Sequence, residues 1–181
     1  MRKNIFFYKK RGQIWIETIL YTLIAFVLIG LVLAFAKPKI EEFQDKSTIE
    51  QSISVLEEID VIIKNMGDPG NQRVITLSLT KGILNLDGEN DKIFFELESR
   101  YEYSQPGTNI SIGNIIAKTE ARGKIYDITL IQDYFEEYNI RFKNIDELYS
   151  IKRAATPYRI LISNKGADEL GKTIINIEVL N

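Results

Sequence analysis

The feature that most constrains this chain is an uninterrupted apolar segment near its N-terminus. Residues 18–36 are 19 consecutive uncharged residues, and 16 of them are apolar. As an α-helix with a rise of about 1.5 Å per residue, the segment is about 28 Å long, close to the roughly 30 Å hydrocarbon core of a bilayer. A core helix in a small soluble domain needs an apolar stripe on one face only. The segment therefore predicts a membrane-spanning helix.

Charge on either side of the segment predicts its orientation. Residues 1–12 hold five of the 23 basic residues and no acid, whereas the other 169 residues carry 18 bases and 25 acids. Basic flanks stay on the cytoplasmic side, so the N-terminus is expected in the cytoplasm and the bulk of the chain outside. An acidic remainder without a basic patch also argues against nucleic acid as a partner.

Composition removes most catalytic chemistry. The 181 residues include no Cys and no His. Disulfides, thiolate metal sites, Cys nucleophiles, the usual catalytic triads and most zinc sites are therefore excluded. The sequence also offers no phosphate-binding loop, carboxylate pair or serine constellation. We expect a protein that is not an enzyme, with no catalytic residues, no cofactor and no metal.

Residues just before the apolar segment form a recognisable pattern. They read Lys10-Arg11-Gly12-Gln13-Ile14-Trp15-Ile16-Glu17-Thr18. This stretch resembles the processing site of type IV pilins, and most closely the archaeal class III signal peptide, which reads basic–Gly–Gln–x–x–x–Glu before an apolar helix. The resemblance covers about 25 residues, and the rest of the chain matches no motif of that family.

The resemblance implies a processing event and a set of partners. A prepilin peptidase would recognise Lys10 and Arg11 and cut between Gly12 and Gln13 on the cytoplasmic side, leaving the apolar segment on the mature protein. Glu17 would become the fifth mature residue. The implied partners are identical or related pilin subunits, the peptidase, the pilus assembly platform with its ATPase, and the membrane.

Electrostatics give Glu17 a reason to be there. A carboxylate in a membrane helix costs about 2.5–3.5 kcal/mol at mid-bilayer, so such a residue suggests a function. The α-amine that cleavage creates on Gln13 lies one turn from Glu17 on the same helix face. In a filament core, Glu17 of one subunit can neutralise the amine of a neighbour, so that both charges are buried only with a partner.

Two simpler interpretations of the N-terminus remain open. Glu17 can mark the headgroup edge of a plain, uncut signal anchor. Alternatively, Ala34-Phe35-Ala36 has the outline of a secretory cleavage site, although the apolar run is longer than the 7–15 residues of such signals.

Beyond Pro38 the apolar residues become periodic. Their spacing of three to four residues predicts an amphipathic helix that ends before Gly67-Asp68-Pro69-Gly70, with a stripe of Ile40, Phe43, Ile49, Ile53, Leu56, Ile59, Ile63 and Met66. Because proline removes a helical hydrogen bond, we expect one helix, kinked at Pro38, from about Gln13 to Met66.

After Gly70 the period changes to two, which predicts strands. Runs lie at 74–80, 83–86 and 92–98, and further strands are expected near 108–119, 123–132, 158–163 and 172–180. Lys81-Gly82 and Asp87-Gly88 predict hairpin turns, as does the segment 164–171. Residues 133–153 are ambiguous, and 144–148 resemble a short capped helix.

Three features of this region have a functional and a structural interpretation. Residues 87–91 group three acids that could bind Ca²⁺, although Asp-Gly is a turn signal in its own right. Asn109 begins an N-glycosylation sequon, Asn-Ile-Ser, on the expected outer face. The aromatic residues Tyr134, Phe135, Tyr138 and Tyr149 could contact other subunits, or they could pack in the core or lie on the surface.

Together these observations predict an α+β protein in which a long kinked helix packs on an antiparallel β-sheet or β-sandwich head. The expected parts are a cleaved leader (1–12), a transmembrane or filament-core helix (13–36), its amphipathic continuation (37–66) and an extracellular β-rich head (67–181). The expected function is a pilin-like subunit of an archaeal surface filament, made as a single-pass membrane precursor. Alternatives are a membrane-anchored β-domain of a motility or secretion complex that does not polymerise, and a ligand-binding ectodomain.

Overall fold

The computed structural model describes the backbone of residues 10–180 and the side chains of residues 15–180. One helix, α1, spans Lys10–Lys64 and includes Pro38. The chain divides between Glu41 and Glu42 into two compact units, each considered by itself below. The expected leader lies largely outside the described residues. A kink at Pro38 stays a prediction.

Within the described residues, ten strands follow the helix. They are β1 (Gln72–Leu77), β2 (Ile83–Asp87), β3 (Lys92–Ser99), β4 (Asn109–Ile112), β5 (Ile115–Arg122), β6 (Ile125–Asp133), β7 (Tyr138–Phe142), β8 (Leu148–Lys152), β9 (Tyr158–Ala167) and β10 (Thr173–Leu180). They form a four-stranded sheet in the order β1-β9-β10-β7 and a six-stranded sheet in the order β4-β5-β6-β3-β2-β8. All pairs are antiparallel except β7 with β10, which is parallel.

Side chains along β3, β5 and β6 alternate between buried and exposed, so that one face of the six-stranded sheet is apolar. Phe95 of β3 is buried and pairs with Leu130 of β6, which in turn pairs with Ala117 of β5. Their neighbours Glu96 and Ile116 point the other way and are exposed. This inward row joins the buried isoleucines of the four-stranded sheet in a single hydrophobic core.

The second part of α1 contributes its predicted stripe to that core. Ile49, Ile53, Leu56, Ile59 and Ile63 are all buried, followed by Met66 just beyond the helix end. The helix-on-sheet architecture is therefore confirmed as α+β, with antiparallel-rich sheets. The stripe is shorter than predicted, because Ile40 and Phe43 are 54% and 73% exposed.

The end of the helix is fixed by a glycine and an asparagine. Gly67 adopts a positive φ of 70°, the left-handed conformation that commonly ends helices. The Asn164 side chain of β9 donates a 2.7 Å hydrogen bond to the Gly67 carbonyl. The turn after the helix is thereby held against the four-stranded sheet.

Three of the local predictions are wrong. The strand expected over 108–119 is a hairpin, β4–β5, since Gly113 turns the chain with a φ of 56°. β1 and β2 are not a hairpin: β1 pairs with β9, and the chain crosses at Gly82 into the other sheet. Residues 144–148 are not helical, because Ile145 bridges back to Phe142 and β8 then begins. The hairpins β2–β3 and β9–β10 are confirmed.

Candidate functional site

The part of α1 that precedes the core, residues 15–36, is exposed around its whole circumference and is uncharged apart from Glu17 near its start; we call it the apolar half. An 18-residue window of the helix has a mean hydropathy of 2.8, and none of that window is buried. Its large side chains are 45% exposed at Ile24 and up to 77% exposed at Phe35. A surface of this kind on a monomer marks contact with lipid or with another protein. The helix is long and apolar enough to cross a membrane.

One hydroxyl group of the apolar half is hydrogen-bonded within the helix. The Thr22 hydroxyl donates a 2.8 Å hydrogen bond to the Thr18 carbonyl one turn earlier. A side chain bonded in this way needs no water or outside partner. This part of the helix is therefore suited to an apolar environment of lipid or of neighbouring helices.

The residues of the expected processing and pairing sites lie on the first turns of α1. Lys10, Arg11, Gly12 and Gln13 have helical backbone, and their side chains lie outside the described residues. Glu17 is exposed on the same helix, four residues after Gln13. The spacing expected for an amine–carboxylate pair on one helix face is thus compatible with the backbone.

The later part of α1, residues 45–64, is here called the head half. Near its start, buried Asp45 accepts a 2.7 Å hydrogen bond from the Arg100 backbone N–H and pairs with the Lys81 ammonium. Those partners follow β3 and β1. One carboxylate therefore ties the helix to two segments of the sheets.

A cleft of about 620 Å³ lies at the other end of the head half. It is lined by the end of the helix, by the β2–β3 and β4–β5 turns, and by the segment between β6 and β7. The lining residues are Asp60, Lys64, Asn90, Lys92, Asn114, Gln132, Asp133, Tyr134, Phe135, Glu136, Glu137 and Tyr138.

Asp60 is the centre of the polar contacts in this cleft. It is 8% exposed, and its Oδ2 accepts hydrogen bonds from the Lys64 ammonium at 2.9 Å and the Asn114 amide at 3.1 Å. Three buried atoms in the described part of the chain make no hydrogen bond of ordinary geometry, namely Asp60 Oδ1, Gln132 Oε1 and the Tyr134 hydroxyl. The Tyr134 hydroxyl is nevertheless near enough to the Asp60 carboxylate to act as its donor. All three belong to residues that line this cleft. Buried polar atoms are nearly always hydrogen-bonded, so three such atoms without good hydrogen-bond geometry in one cleft are unusual.

Burial and charge both act on the two tyrosines of the cleft. Burial, and then the negative charge of Asp60 and a hydrogen bond to its carboxylate, raise the pKa of the Tyr134 phenol far above its ordinary value. Burial, and then Glu137, raise the pKa of Tyr138 as well, against the opposing charge of Lys64. Both hydroxyls therefore stay protonated at neutral pH and can donate hydrogen bonds.

The acidic segment 87–91 is a turn. Asp87 accepts hydrogen bonds from the Asn90 backbone and side chain at 3.1 and 2.8 Å, whereas Asp91 is buried and accepts one from the Ile140 N–H at 2.9 Å. Asp87 and Asp91 therefore accept hydrogen bonds from different parts of the chain. Among the described residues no group of three acidic side chains is placed to hold a metal ion.

The remaining predicted sites are not brought together. Asn109 begins β4, an edge strand, and is exposed, so that its amide is accessible. Of the aromatic residues, Tyr134 is buried and meets Tyr138 edge to face at 5.9 Å, whereas Phe135 is 59% exposed. Tyr149 instead stacks on Phe142, with 3.6 Å between the ring centres.

Sequence reasoning missed the polar residues of the cleft. Two signals were present. Asp60 interrupts the apolar stripe between Ile59 and Ile63, and Gln132 takes the next inward position of β6 after Ile128 and Leu130. A polar residue at a core position is the informative observation in such patterns.

The chain has no significant match among protein-family models, curated proteins or solved structures. Its function is therefore inferred from its own residues and geometry.

Proposed function

We propose that this chain is a pilin-like structural subunit, processed between Gly12 and Gln13 and assembled through the apolar half of α1 into an archaeal surface filament. The role is structural rather than catalytic. The mature subunit would leave the membrane with its apolar helix packed among those of its neighbours and its β-rich head outside.

One observation carries this proposal: the most apolar window of α1 has no buried residue at all, although the same helix goes on to supply a buried core stripe. Burying apolar surface is worth about 25 cal/mol per Å², so a helix of this kind needs a cover outside its own chain. Lipid supplies that cover before assembly. Equivalent helices of other subunits can supply it afterwards.

The processing motif supports an assembled state over a plain anchor. A carboxylate at Glu17 and a new amine at Gln13 are costly to bury singly and compatible when paired across subunits. The basic residues of the first twelve fit a cytoplasmic N-terminus before cleavage. On this proposal, a prepilin peptidase and an assembly platform with its ATPase are required partners.

The first test is the N-terminus of the mature protein, determined by mass spectrometry from the native cell. We expect Gln13, or its cyclised form, as the first residue. An intact Met1 would favour a plain anchor, and a start at Lys37 would indicate ordinary secretion.

The second test is the amount of this subunit in sheared surface filaments, measured by immunoblot. Glu17→Ala should still be cleaved, because the cut site is unchanged, but it should be depleted from the sheared fraction. Glu57→Ala is the matched control, since Glu57 is an exposed acid on the head half. Equal incorporation of both variants would contradict the charge pairing.

A ligand-binding ectodomain is the second candidate function. The cleft of about 620 Å³ at the end of the head half favours it. The two functions are compatible, because a filament subunit can also present a binding site.

A further inference from the structure

The edge strand β4 differs from the other edge strands in having no charged residue. Within the described part of the chain, the two sheets end in four edge strands, β1, β4, β7 and β8. Three of these contain a basic residue, namely Arg73 in β1, Arg141 in β7 and Lys152 in β8, whereas β4 reads Asn109-Ile110-Ser111-Ile112. β4 has four residues and β7 and β8 have five, so length does not set it apart. Since charges on an edge discourage pairing with another chain, β4 needs a different protection.

The absence of charge extends on both sides of β4. Residues 103–117 are 15 consecutive residues without an acid or a base, in a chain that is 27% charged. Outside the apolar half, no other uncharged run in the sequence is as long. Residues 103–114 are all exposed or half-buried. This part of the surface therefore lacks the charges that keep other surfaces soluble.

The side-chain amide of Asn109 is available for reaction. Asn109 and Ser111 are both exposed and, two residues apart on a strand, point to the same side. Among the described residues, no hydrogen bond engages the Asn109 side chain. Seven other asparagines donate hydrogen bonds through their side-chain amides, namely Asn65, Asn85, Asn90, Asn114, Asn139, Asn164 and Asn176. The Asn-Ile-Ser sequon thus presents a free acceptor nitrogen for N-glycosylation.

We propose that Asn109 carries an N-linked oligosaccharide, and that this glycan protects the uncharged edge at β4. The donor is an oligosaccharide linked to a lipid phosphate. The Asn109 amide nitrogen forms a bond to the anomeric carbon, the bond from that carbon to the phosphate oxygen breaks, and the lipid phosphate leaves. The nitrogen gives up one proton to a base of the transferase. This inference rests on the proposed function in one respect, since the transfer requires the head to lie outside the cytoplasm.

The position of Asn109 lets the glycan cover more than the strand edge. Asn109 and Ser111 lie on the outward face of the six-stranded sheet, where Ser111 pairs with Ile116. Ile116 is 40% exposed, and the row continues across the sheet to Ile131 and Phe94, which are half-buried. Neighbouring strands lie about 4.8 Å apart, so this apolar row reaches about 14 Å from β4. The C–H faces of sugar rings can pack on such side chains while the hydroxyl groups face water.

A second copy of this chain is the alternative cover for the edge. Two β4 strands can pair, because neither carries a charge that would repel the other. Such pairing would bury the backbone of residues 109–112 and would leave no room for a glycan beside it. Because the two covers exclude one another, and because the sequon lies on this same strand, the glycan is the favoured cover.

The first test is peptide mass spectrometry on the subunit purified from the native cell. Trypsin cuts after Arg100 and Lys118 and releases residues 101–118, which contain one sequon. We expect this peptide at a mass raised by an oligosaccharide, with sugar fragment ions, and with electron-transfer fragmentation that places the modification on Asn109. A peptide found only at its unmodified mass would overturn the proposal.

Two substitutions at Ser111 show whether the sequon directs the modification. Ser111→Ala removes the hydroxyl that the sequon requires and should abolish the mass increase. Ser111→Thr is the matched control, because it keeps a hydroxyl at the same position and should retain the glycan. A glycan that persists in Ser111→Ala would show that the sequon is not what is recognised.

The protective role is measured by sedimentation velocity of the full chain at one copy per lipid nanodisc. The glycosylated wild type should sediment as single discs, whereas Asn109→Gln should form pairs of discs as its concentration rises. Asn109→Lys also lacks the glycan, but it adds a charge to the edge and should return to single discs. Single discs for both variants, or paired discs for both, would show that the glycan does not protect this edge.

This proposal and the filament proposal fail separately. An unmodified peptide from a protein that begins at Gln13 would overturn the glycan and leave the processed subunit intact as a proposal. A glycosylated peptide from a chain that still begins at Met1 would do the reverse.

Discussion

The two halves of α1 have the same backbone conformation and opposite burial. In the apolar half, every large apolar side chain is exposed, and Phe35 reaches 77%. In the head half, Leu56 and Ile49 are completely buried. Both halves are rich in apolar residues, so hydrophobicity alone does not explain the difference.

The arrangement of polar residues does explain it. The head half alternates an apolar stripe with charged residues, so that only one face can be buried. Its two buried acids, Asp45 and Asp60, each meet partners that come from beyond the helix. The apolar half has no polar face, and its Thr22 hydroxyl bonds within the helix. The head half can therefore pack on the chain's own sheets. The apolar half needs lipid or another protein to cover it.

The strongest test of this contrast is one substitution made in both halves. Leu56→Ala should lower the free energy of unfolding of the β-rich region by about 2–5 kcal/mol, because it leaves a cavity in a close-packed core. Leu28→Ala, which removes a side chain that is 56% exposed, should change it by less than about 0.5 kcal/mol. Urea unfolding of the full chain in micelles, followed by tyrosine fluorescence, measures both.

A comparable loss in the two variants would break the contrast, since it would mean that Leu28 also packs against the β-rich region. The lone tryptophan, Trp15, lies in the apolar half and is a useful internal reporter. Trp15 emission should stay unchanged while urea unfolds the β-rich region of the Leu56→Ala variant, if the apolar half and the head half lie in different environments.

A second test concerns the acids of the head half. Asp45→Ala should lower the free energy of unfolding by about 1.5–3 kcal/mol, because the Arg100 backbone N–H loses a charged acceptor. The Lys81 side chain is 41% exposed and regains water, so the loss stays below that of a fully buried ion pair. Asp127→Ala is the control: its carboxylate is 41% exposed beside Arg122, and such surface pairs contribute at most about 1 kcal/mol. Equal costs for the two variants would show that Asp45 does not tie the helix to the sheets.

Local patterns predicted most of the elements but not their pairing. The helix stripe and the alternating strands follow from periods that neighbouring residues determine. The separation of β1 from β2 does not, because a short turn at Lys81-Gly82 is compatible with both a hairpin and a crossing between sheets. What decides is a contact distant in sequence: β1 pairs with β9, and Gly82 lies so close to Phe95 that a Cβ would meet its ring at 2.5 Å. The failure at 144–148 is similar, since the Ile145–Phe142 bridge outweighs a weak capping pattern.

The candidate cleft was beyond sequence reasoning for the same cause. Asp60 and Gln132 are 72 positions apart, and only the packed helix and sheet place them in one lining. Each is a polar residue at a core position of its own element, but neither local pattern shows that the two residues lie close together. The N-terminal motif differs from the cleft, because its residues are contiguous in sequence and can be recognised without knowledge of the fold.

The smallest expected effect tests the burial of the cleft hydroxyl. At neutral pH, Tyr134→Phe should lower the free energy of unfolding by only about 1 kcal/mol, because the lost hydrogen bond to the Asp60 carboxylate is offset by the burial of one polar group fewer. At high pH the two proteins should diverge. Burial raises the pKa of Tyr134 above its unfolded value of 10.0, so above pH 10 the unfolded chain releases a proton that the folded chain keeps. Stability is therefore held below pH 10 and falls above it, by about 1.4 kcal/mol more in the wild type than in the variant at pH 11. Urea titrations between pH 8 and 11 measure the difference. Parallel curves would mean that the Tyr134 hydroxyl titrates like one in water, and the head half would then end in an open, hydrated site rather than a buried one.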